Sequence, residues 1–181
     1  MLKVLTDLCL SKKTASIYVN NNQPTKFYYG TVLSVSADEI AIDMLLPSGG
    51  NDGIVANKVH KVYRVDTDGQ YDEKMKKLCT LNTYQPFNGS LDNNNIIQSL
   101  LLLALETKKI VSIELLDSGF DDVSGFIEQI EDGQCKIKEI DEYGYEDGYA
   151  YVEIKNITQV TYQSEYEKRI LNLWNFNKSL W

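Results

Sequence analysis

The sequence predicts a mainly β chain with flanking helices. It reads as a tandem repeat of two small five-stranded barrels, each with an N-terminal and a C-terminal helix. Three observations predict this. First, the pattern recurs at an offset of 95 residues: Gly30, Val32 and Val35 fall on Gly125, Ile127 and Ile130, and Asp52-Gly53 falls on Asp147-Gly148. Val59, Val62 and Val65 fall on Ile154, Ile157 and Val160, and Tyr71, Met75 and Leu78 on Tyr166, Ile170 and Leu173. A register that keeps two glycines, an Asp-Gly pair and a tyrosine marks an internal repeat. Second, short runs of period-two alternation are bracketed by stretches of helical spacing. Third, each copy keeps a glycine inside its longest strand, where glycine is costly unless the strand bends or another backbone approaches closely. Five short bent strands predict a curled sheet, with the leading helix over one open end.

The elements follow in order. Residues 2–12 form a helix, because Leu2, Leu5, Leu8 and Cys9 recur at helical spacing. Its counterpart is capped by Asn94 or Asn95 and carries Ile97, Leu100, Leu101 and Leu105. First strands follow at 15–20 and 110–116, then turn-rich loops at 20–25 and 117–122. The long glycine-centred strands cover 26–36 and 123–131, and the third strands 40–45 and 135–140. A loop ending at Asp-Gly precedes fourth strands at 54–59 and 149–154, and fifth strands at 62–66 and 157–162. Closing helices cover 70–79 and 164–174. Residues 80–94, with Pro86, Gly89 and several Asn, read as a linker between domains 1–79 and 95–181.

Charge narrows the function classes. The formal net charge is −8, and it is uneven. Residues 1–90 carry 10 basic and 9 acidic side chains, whereas residues 91–181 carry 8 and 17. The second half repels polyanions on average. Three cysteines without metal or redox spacing point to a reducing compartment, and the N-terminal apolar run is interrupted by Asp7, so a cytoplasmic, non-membrane protein is expected.

At these residues the chain resembles the Sm-like fold of the Sm, LSm and bacterial Hfq proteins, a relative of other SH3-like barrels. The resemblance rests on Gly30-x-Val32-x-x-Val35 and Gly125-x-Ile127-x-x-Ile130, and on Asn57 to Val65 and Val152 to Val160 as the second motif. It implies two small barrels and, as the alternative function, an RNA-binding regulator. The basic pair of the second motif corresponds here to Lys58-Val59 and Glu153-Ile154. The base-reading residues are thus unmatched in the second copy, and RNA binding is disfavoured.

No catalytic constellation is legible, so neither an enzyme nor a cofactor nor a metal is expected. His60 is the only histidine and reads as an exposed turn residue. Asp66-Thr67-Asp68-Gly69 reads as a helix N-terminus rather than a calcium loop, and Asp117, Asp121 and Asp122 as a solvated loop. The binding candidates are aromatic. Tyr143 and Tyr145 with Glu146 and Asp147 form a Tyr-plus-acid loop suited to a basic peptide or a protein surface. Tyr149 and Tyr151 read as strand residues beside that loop. Lys26 and Tyr28 give the first half one cation beside an aromatic, a weak nucleic-acid signal. The expectation is therefore a non-enzymatic binding or assembly protein with a protein partner, monomeric or homodimeric.

Overall fold

Leu5 and Leu8 lie three residues apart on the first helix, α1 (Leu2–Ser11), and both are buried. The helix stops where Lys12 enters the left-handed region at φ 54°. A computed structural model describes every residue except Asn20, Asn21, Asn22, Thr83 and Trp181. The expected first-strand end at Asn20, the start of the 20–25 loop and position 83 of the 80–94 segment lie outside the described residues. The chain divides into two compact units, Met1–Ile96 and Ile97–Trp181.

In the first unit α1 is followed by β1 (Thr14–Tyr18), β2 (Tyr28–Val35), β3 (Glu39–Leu45), β4 (Asn51–Lys58), β5 (Arg64–Asp66) and α2 (Gln70–Leu81). Its strands are ordered β5-β1-β2-β3-β4, and every neighbouring pair is antiparallel. Leu5 and Leu8 pack on Ile17, Val32, Ile40, Ile42 and Val55. On the α2 side, Met75 packs with Tyr29 and Leu45.

The second unit holds α3 (Ile96–Thr107, whose first residue belongs to the first unit), β6 (Ile110–Leu115), β7 (Val123–Glu131), β8 (Gln134–Ile140), β9 (Glu146–Glu153), β10 (Ile157–Tyr162) and α4 (Glu165–Ser179). Its order is β10-β6-β7-β8-β9, again antiparallel throughout. Ile170 of α4 packs on Ile110 and Ile140, flanked by Phe126 and Trp174.

Mainly β structure with flanking helices is what forms. The two closed Sm-like barrels are not. Among the described residues no pairing joins β4 to β5 or β9 to β10, and the strands make open antiparallel sheet. Alternation and a bent-strand glycine specify a pleated, bent sheet, but closure also needs matched tilt and shear.

The glycines do mark close approach. A Cβ on Gly30 would lie 1.9 Å from the Asp43 carbonyl oxygen, and one on Gly125 would lie 2.0 Å from that of Lys138. Gly30 pairs with Met44 and Gly125 with Glu139, and each bent strand carries a bulge just beyond, at Val32/Ser34 and at Ile127/Gln129. The Asp-Gly pairs, expected to end loops, lie inside β4 and β9. Gly53 (φ 74°) and Gly148 (φ 91°) sit where the register of each strand against its neighbour shifts. A left-handed glycine accommodates the extra residue of a bulge without ending the strand, so both strands begin three residues earlier than expected.

Each closing helix is tied to its sheet by a buried carboxylate. Asp72 accepts from Tyr29 Oη at 2.8 Å, and its other oxygen accepts from the Gly69 N–H at 3.2 Å. Glu167 accepts from Ser112 Oγ at 2.7 Å and from the Ser164 N–H at 2.8 Å. One residue thereby caps a helix and pins it to a strand. Residues 84–93 also lie on the first unit. Buried Asp43 accepts from Tyr84 Oη and from the Phe87 N–H at 2.9 Å, and Ser34 bonds Asn93. No helix among the described residues is long and apolar enough to cross a membrane.

Candidate functional site

The loop between β8 and β9 is built by one aspartate and one glycine. Asp141 Oδ1 accepts from the backbone N–H groups of Tyr143 (3.0 Å) and Tyr145 (2.8 Å). The Asp141 carbonyl accepts from Gly144 N–H at 3.0 Å, and Asp141 N–H donates to the Tyr145 carbonyl at 2.9 Å. Gly144 takes φ 80° and lies against α4, where a Cβ would meet Trp174 N at 2.6 Å. From α4, Asn177 Nδ2 donates to the carbonyls of Tyr143 and Gly144, each at 3.0 Å. With its backbone held this way, the loop turns the rings of Tyr143 and Tyr145 to solvent, 66% and 57% exposed. A preorganised aromatic surface loses little freedom on binding. The Glu142 carboxylate, hydrogen-bonded to the Tyr143 hydroxyl, raises its pKa.

Exposed tyrosines recur along β9. Strand alternation buries Val152 and turns Tyr149 and Tyr151 outward, 50% and 71% exposed. Across the ladder they face Lys138 and Lys136. Lys136 Nζ lies 4.3 Å from the Tyr149 ring centroid, within cation–π range. The same ammonium lies 2.9 Å from Glu128, which also meets Lys138 at 3.3 Å, while Lys138 lies 3.8 Å from Glu146. The lysines hold Glu128 below its ordinary range, Lys136 first. Its bond to Glu128 raises Lys136. For Lys138, burial pulls downward but Glu128 and Glu146 prevail and raise it. Both cations on this face are thus neutralised inside the sheet.

Four of the candidates from sequence, Tyr143, Tyr145, Glu146 and Asp147, therefore stand together, with Glu146 and Asp147 as the exposed first residues of β9. The other two, Lys26 and Tyr28, belong to the first unit. Lys26 is exposed, whereas Tyr28 is half-buried and packs against the α1 core cluster. Lys58, the one basic residue at the position of the second motif's basic pair, is 2.6 Å from Glu39. It lines a shallow depression of about 470 Å³ with Asp38 and His60, and His60 is exposed in a 3-10 turn. Lys136, Lys138 and Glu128 carry no site signal in the sequence, whereas Tyr149 and Tyr151 interleave there with the acids of the loop. Tyr149 and Tyr151 alternate like any strand residues, and only the pairing register brings the others beside them.

In the acidic loop 117–122, Asp122 and the neighbouring Glu114 accept from local donors. Asp122 Oδ2 accepts from Leu115 N–H at 2.7 Å and Ser118 Oγ at 2.6 Å, and Glu114 Oε1 accepts from Gly119 N–H at 3.1 Å. Burial, then the neighbouring Glu167 and Glu114 charges, raise Asp121. Among the described residues no group of three or more His, Cys, Asp or Glu side chains is gathered to hold a metal ion. No protein-family model, no curated protein and no solved structure matches this chain.

Proposed function

We propose that the chain is a non-enzymatic binding or assembly protein, and that its second unit holds a protein partner on the face formed by Tyr143, Tyr145, Tyr149 and Tyr151. One observation carries this reading: four exposed tyrosines lie on a backbone-tied loop and the strand that continues it. Exposed aromatics grouped on an ordered surface are the composition of interface centres. The surrounding carboxylates favour a cationic protein surface over nucleic acid, because the 91–181 half is strongly acidic. The protein works as a monomer or homodimer.

A pull-down with wild type and a Tyr143→Ser/Tyr145→Ser variant tests the reading, with circular dichroism checking that the variant folds. A protein retained by the wild type and lost by the folded variant is expected. Sub-micromolar binding of uridine-rich or adenosine-rich RNA with a steep salt dependence would overturn it.

A further inference from the structure

We infer that the outer edge of β9 is completed by an added β-strand from a cationic, extended peptide segment of the partner, whose Lys or Arg side chains stack on Tyr149 and Tyr151. The inference rests on the binding-protein reading and names the partner's chemistry. Among the described residues β9 pairs with β8 alone. The direction of its peptide groups follows from the ladder. Ile154 N–H donates to the Gly133 carbonyl at 2.9 Å. Residues of an antiparallel pair alternate between exchanging both bonds and exchanging none. With Cys135 opposite Val152 and Ile137 opposite Ala150, the peptide groups of Val152 and Ala150 point to β8. Those of Tyr149, Tyr151 and Glu153 point away from it. The residues that offer aromatic rings are therefore the ones that offer free backbone donors and acceptors.

Natural sheets protect their edges with short strands, lysine or proline. The three-residue β5 is an edge of that guarded kind, and its Arg64 and Asp66 side chains are paired with each other at 2.6 Å. In contrast, β9 has eight residues, and its sequence EDGYAYVE contains neither lysine nor proline. Its charged residues lie at the two ends and leave Tyr149–Val152 open.

Charge selects the occupant. Residues 134–155 hold Glu139, Asp141, Glu142, Glu146, Asp147 and Glu153 against Lys136, Lys138 and Lys155. Lys136 and Lys138 are engaged by Glu128, and Lys155 lies 2.8 Å from Glu153. A second β9 would place carboxylates opposite carboxylates, which is destabilising across a ladder. An anionic partner meets the same repulsion. A cationic strand meets attraction, and Lys136 over Tyr149 already shows a ring of this face accepting a cation. Alternation further requires β-branched apolar residues between the cations, on the face continuous with Ala150 and Val152.

The probe is a short peptide alternating Arg with Val, beside the same peptide with Glu in place of Arg. Binding is followed by fluorescence anisotropy, and amide exchange by NMR. The Arg peptide is expected to bind, the Glu peptide not to. The Tyr149, Tyr151 and Glu153 amides should slow by about tenfold or more on binding. Tyr151→Ser should weaken binding by about tenfold. Tyr151→Pro, which removes one outward donor, should weaken it further while leaving the β8 ladder intact. If that variant does not fold, the wild-type amide protection decides alone. Absence of binding, equal binding of both peptides, or an edge already taken by a second copy in light scattering would each overturn the inference. Binding that Tyr151→Ser weakens without slowing those three amides refutes strand addition but leaves the tyrosine face as a binding site.

Discussion

Replacing Gly125 by Ala should be among the most damaging single-methyl changes in the second unit. The added Cβ would lie 2.0 Å from the Lys138 carbonyl oxygen, 2.8 Å from its carbon and 3.0 Å from Glu139 Cα, where ordinary contacts begin at 3.4 Å. All three are backbone atoms of β8, so no side chain can swing aside. Relief requires β7 and β8 to separate by about 1 Å, which overstretches their ladder bonds, since such bonds hold only to about 3.2 Å. Overpacking costs about 1–3 kcal/mol, and one or two weakened ladder bonds add about 0.5–1.5 kcal/mol each. The expected loss is thus about 3–5 kcal/mol, or a urea midpoint lowered by about 2 M. Tryptophan fluorescence reads this unit selectively, because Trp174 and Trp181 both belong to it and Trp174 lies 4.8 Å from the Phe126 ring. Gly133→Ala is the control. It has open space around its Cβ but φ 76°, so it should lose only the left-handed penalty of about 1–2 kcal/mol. If Gly125→Ala melts no earlier than Gly133→Ala, the close approach of β7 and β8 is not what requires glycine there.

Three further outcomes follow. Glu167→Ala should cost about 2–3 kcal/mol, since it strands Ser112 Oγ and the Ser164 N–H; an unchanged melting temperature would show that α4 is held by its apolar face alone. Asp43→Ala should release residues 84–93, because Tyr84 Oη and Phe87 N–H lose their shared acceptor; limited proteolysis with mass spectrometry should find faster cleavage there, and an unaltered pattern counts against the contact. Burial pushes the Cys135 thiol up from 9.0 to about 11. The folded state therefore retains a proton that the unfolded chain releases, so this contribution is whole below pH 9 and is lost as pH rises towards about 11. Comparing wild type with Cys135→Ala between those limits isolates it from the tyrosines, and equal slopes would refute it.

The helices, the strand sequence and the two bent-strand glycines were legible in the primary structure because each is a local matter. Helical spacing of Leu5 and Leu8, alternation through Ile110–Leu115, and a residue that only a missing Cβ permits all operate within a few positions. The Tyr143–Asp147 loop was legible for the same reason, as aromatics interleaved with acids. Closure was not. The same alternation serves an open sheet and a barrel, and the difference lies in which edges meet, which no short window encodes. The Asp-Gly pairs misled because a left-handed glycine serves a turn and a bulge alike, and only the partner strand's register separates them. Tertiary structure alone decided that Tyr28 packs into a core while Tyr149 and Tyr151 face outward on a strand paired on one side. Pairing brings together residues of three neighbouring strands, as Glu128 meets Lys136 and Lys136 meets Tyr149, and that association turns three separate letters into one surface.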